Sequence, residues 1–377
     1  MRDAPAGRAV ASAAQDVPGP SAAPGARLAA LDCLRLLAAL SVVAYHWLFW
    51  GPRYGEVAST VPAPVAALAA YGNLGVQLFF LISGFVIFLS ASGRDAASFA
   101  AGRATRLYPA FWAGVLLTTA TLLVTAQASL PDILGRFLAN LTMVPAAFGQ
   151  TQLDGVYWTL TLELQFYALV FLFLLVGRRE WLEPFFAVWA ITMLPTTLFL
   201  PRIAGLPLLG GLFELFAGGA LIAMIARTGW TPLRAVALGA SVVGSAAATV
   251  RRAQESDPGT VDPVVLVLVV AALYALVFVL TTSRVAAWHI PGSRLAGGLT
   301  YPIYLCHAVF GFALLNAFGS SDAPWAGYGI ALAAVLAVAA GVHLGVERAA
   351  APIWRRLFAV TLAAPIRALQ ARLPVER

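Results

Sequence analysis

The chain has 377 residues, of which 60% are hydrophobic and only 11% are charged. This composition and a strongly positive mean hydropathy exclude a single soluble domain. The net charge of +7 does not require a nucleic-acid partner, since arginines on one side of a membrane and anionic lipid explain it.

A window of about 20 residues finds ten apolar segments that are long enough, or nearly so, to cross a hydrocarbon core of roughly 30 Å. We therefore predict an all-α, polytopic membrane protein with about ten transmembrane helices. A shorter apolar stretch at 133–147 is interpreted as an interfacial or re-entrant piece of a loop. The ten segments lie near 31–50, 74–91, 108–127, 156–176, 185–201, 208–226, 233–250, 263–281, 297–318 and 326–346.

The basic residues indicate how these helices are oriented. All 24 of them are arginines. If the N-terminus is cytoplasmic, 18 arginines fall on the cytoplasmic side, five fall on the outer side and Arg35 lies within the first helix. Because cytoplasmic loops carry an excess of basic residues, we predict that both termini are cytoplasmic and that the chain is a multi-pass protein of the inner (plasma) membrane.

The two ends of the chain differ from its apolar middle. Residues 1–30 are rich in Ala, Pro and Gly and are predicted to form a disordered cytoplasmic tail, followed by a transmembrane domain at 31–347. Residues 348–377 are interpreted as an Arg-rich cytoplasmic tail, either a helix on the inner leaflet or a charged tail. Cys33 and Cys306 fall inside predicted spans, so neither a disulfide framework nor a metal site is predicted.

The first predicted helix carries Arg35 and His46, which are costly to place in lipid and are therefore candidate functional residues. They are eleven residues apart. This spacing puts both side chains on one face of an α-helix, with a rise of roughly 16 Å between them. A purely structural interpretation is that Arg35 reaches lipid phosphates while His46 hydrogen-bonds a neighbouring helix.

Arg103 and Arg106 open the third predicted helix, and their i, i+3 spacing points both guanidinium groups the same way. Near a helix start, and on the same side of the membrane as Arg35, they are suited to bind phosphate bidentately. Anchoring of the helix at the cytoplasmic surface is the alternative. His343 and Glu347, near the inner end of the last helix, are interpreted as a structural pair.

Polar residues also lie within the fourth and ninth predicted helices. Glu163 lies about two turns into the fourth helix, after Trp158, at a depth where a carboxylate needs a partner. Thr300, Tyr304 and His307 fall at i, i+4 and i+7 of the ninth helix and form a narrow polar stripe. Such a stripe is most often a contact between helices.

Five motifs stand in register along the chain: LDCLRLLAALSVVAYH, FFLISGFVIF, RATRLYPAFW, YWTLTLELQFYALVF and YPIYLCHAVF. Together they resemble the acyltransferase-3 family of integral membrane O-acyltransferases. Each motif alone is weak, but five in order make the match specific, and they cover about residues 28–350. The resemblance implies that 31–347 is a stand-alone transmembrane acyltransferase domain. In the first motif, the family's usual LDGLRG sequence is LDCLRL here.

The family's arginine and histidine in the first helix are met by Arg35 and His46, and its Arg-x-x-Arg pair is met by Arg103 and Arg106. The resemblance implies a cytoplasmic acyl-CoA as donor substrate, with acetyl-CoA expected, and no permanently bound cofactor. The three arginines are predicted to bind the phosphates of coenzyme A. His46 is predicted to act as general base, with a transient acyl-histidine as the alternative.

The family's Trp-x-Leu-x-x-Glu element is met by the stretch from Trp158 to Glu163, with Thr159 in place of a frequent serine. Glu163 is the second catalytic candidate, either orienting an imidazole or binding the acceptor, and His307 is a further candidate for either role. For both residues, a satisfied polar contact between helices is the alternative. Trp158, Tyr304 and His307 are predicted to contact substrate.

The resemblance implies that the acceptor is a hydroxyl group of a sugar, a polysaccharide or a glycosylated secreted natural product. We expect the first, third, fourth and ninth helices to surround a common cavity, with a cytoplasmic mouth for coenzyme A and an outer entrance for the acceptor. A secondary transporter or exporter of a small polar molecule is the competing interpretation, because buried His, Glu and Arg also suit proton-coupled transport. A structural or signalling membrane protein is the third.

Overall fold

The computed structural model describes residues 28–282, 286, 288–320 and 324–372, and in these ranges its regular structure is helical. The principal helices, labelled in chain order, are α1 (Ala29–Arg53), α2 (Ala63–Ala91), α3 (Ala96–Val124), α4 (Leu130–Asn140), α5 (Trp158–Leu175), α6 (Arg179–Phe199), α7 (Phe213–Thr228), α8 (Pro232–Ser256), α9 (Pro263–Thr282), α10 (Ser293–Cys306), α11 (Val309–Phe318), α12 (Pro324–Ala349), α13 (Ala351–Phe358) and α14 (Ala364–Gln370).

The prediction of an all-α, polytopic membrane protein is confirmed. Among the described residues, eight helices are long and apolar enough to cross a membrane, namely α1, α2, α3, α5, α6, α8, α9 and α12. The pair α10 and α11 is bent by 74° and forms a ninth candidate. The remaining predicted segment contains α7, which has only 16 residues. The sidedness of the termini and the domain boundaries stay predictions, and residues 1–27 of the predicted N-terminal tail lie outside the described ranges.

Polar side chains at helix ends satisfy backbone amides that have no partner within the helix. The Asp95 carboxylate accepts a hydrogen bond from the Ser98 amide at 2.6 Å at the start of α3. Thr231 accepts from the Arg234 amide at 3.2 Å at the start of α8. Gly229, with a φ of +80°, ends α7 and allows the abrupt turn into α8. This short connection leaves α7 and α8 packed side by side.

Helix α7 forms the centre of the bundle. All its residues from 213 to 225 are buried. Its Phe216 ring stacks on Phe166 of α5, with ring centroids 4.5 Å apart. Gly84 of α2 and Gly219 of α7 bring the two backbones together, because a methyl group at either position would meet a carbonyl oxygen of the other helix. The close α2–α7 contact therefore depends on two glycines.

We expect Gly219→Ala to destabilise the protein by about 1–3 kcal/mol, because the added methyl group overpacks the contact between α2 and α7. Gly239 of α8 is the matched control, since an added methyl group there has no atom within 4 Å. Gly239→Ala should leave stability unchanged or raise it. Thermal unfolding of both variants in one detergent measures the difference, and equal unfolding temperatures would contradict this packing.

The described part of the Arg-rich C-terminal region, residues 348–372, contains α13 and α14, whereas residues 373–377 lie outside the described ranges. Phe358 packs against Tyr108 and Trp112 of α3, with ring centroids 6.2 Å apart in both pairs. Arg355 and Arg356 are exposed. The aromatic face of α13 thus packs against the bundle. The exposed arginines can contact lipid headgroups.

Candidate active site

A central cavity of about 290 Å³ lies between α1, α2, α3, α5 and α10. Four of these are the helices expected to surround a site, and α2 is an additional one that the sequence did not predict. The cavity is lined by Arg35, Arg103, Arg106, Glu163 and Tyr304, among others. Five predicted site residues from four helices thus face one space inside the bundle.

The three arginines predicted to bind phosphate all line the central cavity, but their partners differ. Arg106 donates to Glu347 Oε1 at 3.1 Å, and Glu347 Oε2 lies 2.7 Å from His343 Nδ1. The predicted structural pair is therefore present and extends to Arg106. The guanidinium group of Arg103 lies 5.8 Å from the centroid of the Tyr167 ring. Its buried Nε has no hydrogen-bond partner in the part of the chain that the structure describes.

A second cavity of about 1030 Å³ adjoins the first, since Arg35 and Arg106 line both. We call it the arginine mouth, because Arg94, Arg294 and Arg348 also line it. In the sequence these three arginines indicate only topology, because they come from separate parts of the chain and share no motif. Five guanidinium groups around one cavity suit a ligand that carries several phosphates.

Glu163 is held by two hydroxyl groups on the arginine side of the site. Tyr167 donates to its Oε1, and Ser83 Oγ donates to the same oxygen at 3.0 Å. Within the described ranges Glu163 makes no hydrogen bond to His46 or His307, so the suggestion that it orients an imidazole is not supported by its position. Its other suggested role, in acceptor binding, stays a prediction.

His46 lies in a π-helical turn of α1, a rare local structure that is frequent at functional sites. It lines a third cavity of about 520 Å³, the His46 cavity, together with Trp158 and Tyr304. Tyr304 and Val76 line both this cavity and the central one. The Tyr304 hydroxyl lies 2.7 Å from Thr159 Oγ1, which fixes the ring between α10 and α5. The two cavities are thus neighbours that share a wall of side chains.

Hydrogen bonds determine which ring nitrogen of His46 is unprotonated. His307 Nδ1 lies 2.8 Å from the Tyr304 carbonyl oxygen, which can only accept, so Nδ1 carries the proton of a neutral ring. His307 Nε2 is then an acceptor. The Nδ1–H group of His46 donates to it at 3.1 Å and to the Val42 carbonyl oxygen at 3.0 Å. The lone pair of neutral His46 is consequently on Nε2, which can act as a base.

The predicted contact between His307 and substrate is not supported by the position of this residue. His307 is fully buried and lines none of the three cavities. It lies beside His46, with ring centroids 5.0 Å apart. The three residues of the polar stripe on the ninth predicted helix therefore have different surroundings. Thr300 and Tyr304 line the central cavity, whereas His307 contacts His46.

If His307 positions His46, a side chain that still accepts a hydrogen bond should replace it in part. We expect His307→Met to lower the transfer rate about 10-fold or more, and His307→Gln, of similar volume, to recover most of that loss. Rates at saturating donor, with expression and unfolding temperature as controls, measure the effect. Equal activity in the two variants would show that the imidazole at 307 serves packing alone.

The sequence pattern of the acyltransferase domain family Acyl_transf_3 matches residues 28–344. The chain belongs to this acyltransferase family. Nodulation protein 10 of Rhizobium leguminosarum bv. viciae is 32% identical over 171 residues, which cover 39% of this chain and 44% of that protein. Exopolysaccharide production protein ExoZ of Rhizobium meliloti (strain 1021) is 34% identical over 121 residues, which cover 30% of this chain and 37% of that protein.

The chain thus spans less than half the length of these two curated relatives of the acyltransferase family. No solved structure matches it significantly. The family match confirms the resemblance that the five motifs indicated, and it includes every predicted site residue from Arg35 to His307.

Proposed function

We propose that this member of the acyltransferase family transfers an acyl group, expected to be acetyl, from acyl-CoA to a hydroxyl group of a glycan or a glycosylated small molecule. One observation carries the proposal: His46 lines a cavity that shares a wall, including Tyr304, with a cavity lined by three arginines. A base on one side of this wall and phosphate-binding groups on the other suit a reaction between two substrates that enter separately.

The arginine side suits the donor, because the phosphates of coenzyme A match planar guanidinium groups that bind bidentately. The arginine mouth, at about 1030 Å³, is the larger of the two cavities and suits the nucleotide end, and the central cavity, at about 290 Å³, suits the thioester arm. Arg106 is already paired with Glu347, whereas Arg103 has an unused buried donor. We therefore expect Arg35 and Arg103 to contribute more to donor affinity than Arg106.

His46 supplies the proton transfer that the reaction requires. The hydroxyl oxygen of the acceptor attacks the thioester carbonyl carbon while Nε2 of His46 takes the hydroxyl proton. The C–S bond then breaks, and the sulfur of coenzyme A leaves with the proton returned from Nε2. His307 keeps the proton of neutral His46 on Nδ1 throughout, so the same nitrogen serves as acceptor and as donor.

The two substrates meet from opposite sides of the membrane in this proposal. The arginine mouth is placed in the cytoplasm, because the excess of arginines at that end of the bundle is typical of cytoplasmic loops. The His46 cavity then faces the outside of the inner membrane. The name of one relative refers to exopolysaccharide production, which supports a glycan as acceptor.

Incubation of the full chain in lipid nanodiscs with radiolabelled acetyl-CoA tests the proposal. The expected result is release of free coenzyme A, with the labelled acetyl group found as free acetate, on the protein or on an added glycan. This release should be absent when His46 is replaced. Uptake of a polar solute into vesicles without any thioester cleavage would favour the transporter instead. Mass spectrometry of surface glycans and secreted metabolites from wild-type and deletion strains would identify the acceptor by a lost acyl mass.

A further inference from the structure

The His46 cavity has a wall rich in aromatic rings. Trp50 and Phe312 stack with ring centroids 6.0 Å apart and an angle of 18° between the rings. Trp158 and Tyr45 also line the cavity. Flat aromatic faces combined with a few polar groups are typical of sites that hold a small polar ligand by shape. The apolar face of a sugar ring fits such a wall.

Two buried polar atoms on this wall have no partner among the residues that the structure describes. They are Oε1 of Gln77 on α2 and Oγ1 of Thr249 on α8. Both side chains are only 3% exposed, and both residues line the cavity. An unpartnered buried oxygen is costly. A ligand with several hydroxyl groups would satisfy both atoms, since a hydroxyl can donate to Gln77 and can donate to or accept from Thr249.

Arg252 adds a positive charge to the same cavity. Its guanidinium carbon lies 4.3 Å from the centroid of the Trp158 ring. It makes no salt bridge or hydrogen bond within the described part of the chain. Three carboxylates line the cavity: Asp257 pairs with Arg53 at 2.7 Å, Asp154 accepts hydrogen bonds from two backbone amides, and Glu56 is exposed and forms no salt bridge with Arg252 among the described residues. A guanidinium group held over an indole ring by a cation–π contact can still direct N–H groups to an anion.

We propose that the His46 cavity binds a negatively charged saccharide, with a carboxylate or phosphate group of the acceptor paired to Arg252. The sugar ring lies against the aromatic wall, and its hydroxyl groups bond Gln77 and Thr249. This inference rests on the proposed function, because it takes the ligand of the cavity to be the acyl acceptor. It adds a charge class to that acceptor, which neither the family nor the named relatives specify.

Three tetrasaccharides test the charge class: a neutral glucose tetramer, the corresponding glucuronate tetramer, and the glucose tetramer bearing one phosphate. Binding to the full chain in nanodiscs is followed by quenching of tryptophan fluorescence, which needs no turnover. We expect at least one charged tetramer to bind about 10- to 100-fold more tightly than the neutral one, the range expected of one charge-assisted hydrogen bond. Comparison of the two charged tetramers shows whether the cavity prefers a carboxylate or a phosphate.

Arg252→Gln should remove this preference for charge. Arg251→Gln is the matched control, because Arg251 is the adjacent residue, does not line the His46 cavity, and donates to the Thr197 carbonyl oxygen. The control loses the same charge and should keep the preference. Equal binding of neutral and charged tetramers, no binding of any tetramer, or equal behaviour of the two variants would overturn the inference. Tight binding of a charged tetramer without acyl transfer to it would instead support the saccharide site and count against the proposed function.

Discussion

His46→Ala is expected to lower acyl transfer by about 10²–10⁴-fold, the range that a positioned general base contributes. The unprotonated Nε2 is the only feature of the proposal that removes the hydroxyl proton, and alanine leaves nothing in its place. The measurement is the initial rate of coenzyme A release in the presence of acceptor, at equal amounts of folded protein. Donor binding should change little, because the arginine mouth and the central cavity do not include His46.

His289→Ala is the matched control for this prediction, since His289 is exposed and lines none of the three cavities. Turnover near that of the wild type in His46→Ala would refute the assignment of the base. The same variant distinguishes the two chemical routes. If an acyl-histidine forms, acid-quenched wild-type protein retains label from acetyl-CoA and the His46→Ala variant does not.

Arg103→Lys is expected to weaken acetyl-CoA binding about 10-fold or more, and Arg35→Lys should act similarly. Lysine keeps the charge but loses the planar fork that binds phosphate through two N–H groups. Arg106→Lys should have a smaller effect, because its guanidinium group is already paired with Glu347. Titration of coenzyme A into each purified variant measures donor affinity directly.

Arg178→Lys is the control for these substitutions, since Arg178 lines none of the three cavities and pairs with Glu180 at 3.8 Å near the surface. Its affinity for coenzyme A should equal that of the wild type. Unchanged affinity in Arg35→Lys, Arg103→Lys and Arg106→Lys together would return these arginines to the role of fixing topology. Affinity for the acceptor should be unaffected in all of them.

The helices were predictable because crossing a membrane demands length and low polarity, and both are local properties of the sequence. Each predicted segment contains a helix, including the one at 208–226. The central position of α7 was not predictable in the same way. Hydropathy is the same whether a helix faces lipid or protein, and only Gly84 and Gly219, which are far apart in the sequence, indicate the close contact after the fold is known.

The candidate site was predictable where one helix carries the signal. Arg35 and His46, like Arg103 and Arg106, are spaced so that helix geometry alone places both members of the pair on one face. Contacts between distant segments were not predictable. The hydrogen bonds between His46 and His307 and between Ser83 and Glu163 are therefore seen only in the structure. The additional arginines of the mouth were missed for the same reason, since each one alone is an ordinary loop charge.

The wall that includes Tyr304 and Val76 has an electrical consequence. A bilayer normally spreads the membrane potential over its whole hydrocarbon thickness, but polar cavities reaching inward from both sides concentrate the potential drop on the layer between them. A unit charge that crosses the full potential changes its energy by about 2.3 kcal/mol per 100 mV. If the arginine mouth and the His46 cavity open on opposite sides of the membrane, as proposed, much of that field falls across Tyr304, Val76 and a few neighbouring side chains. Charge movement during acyl transfer would therefore depend on the energised state of the membrane.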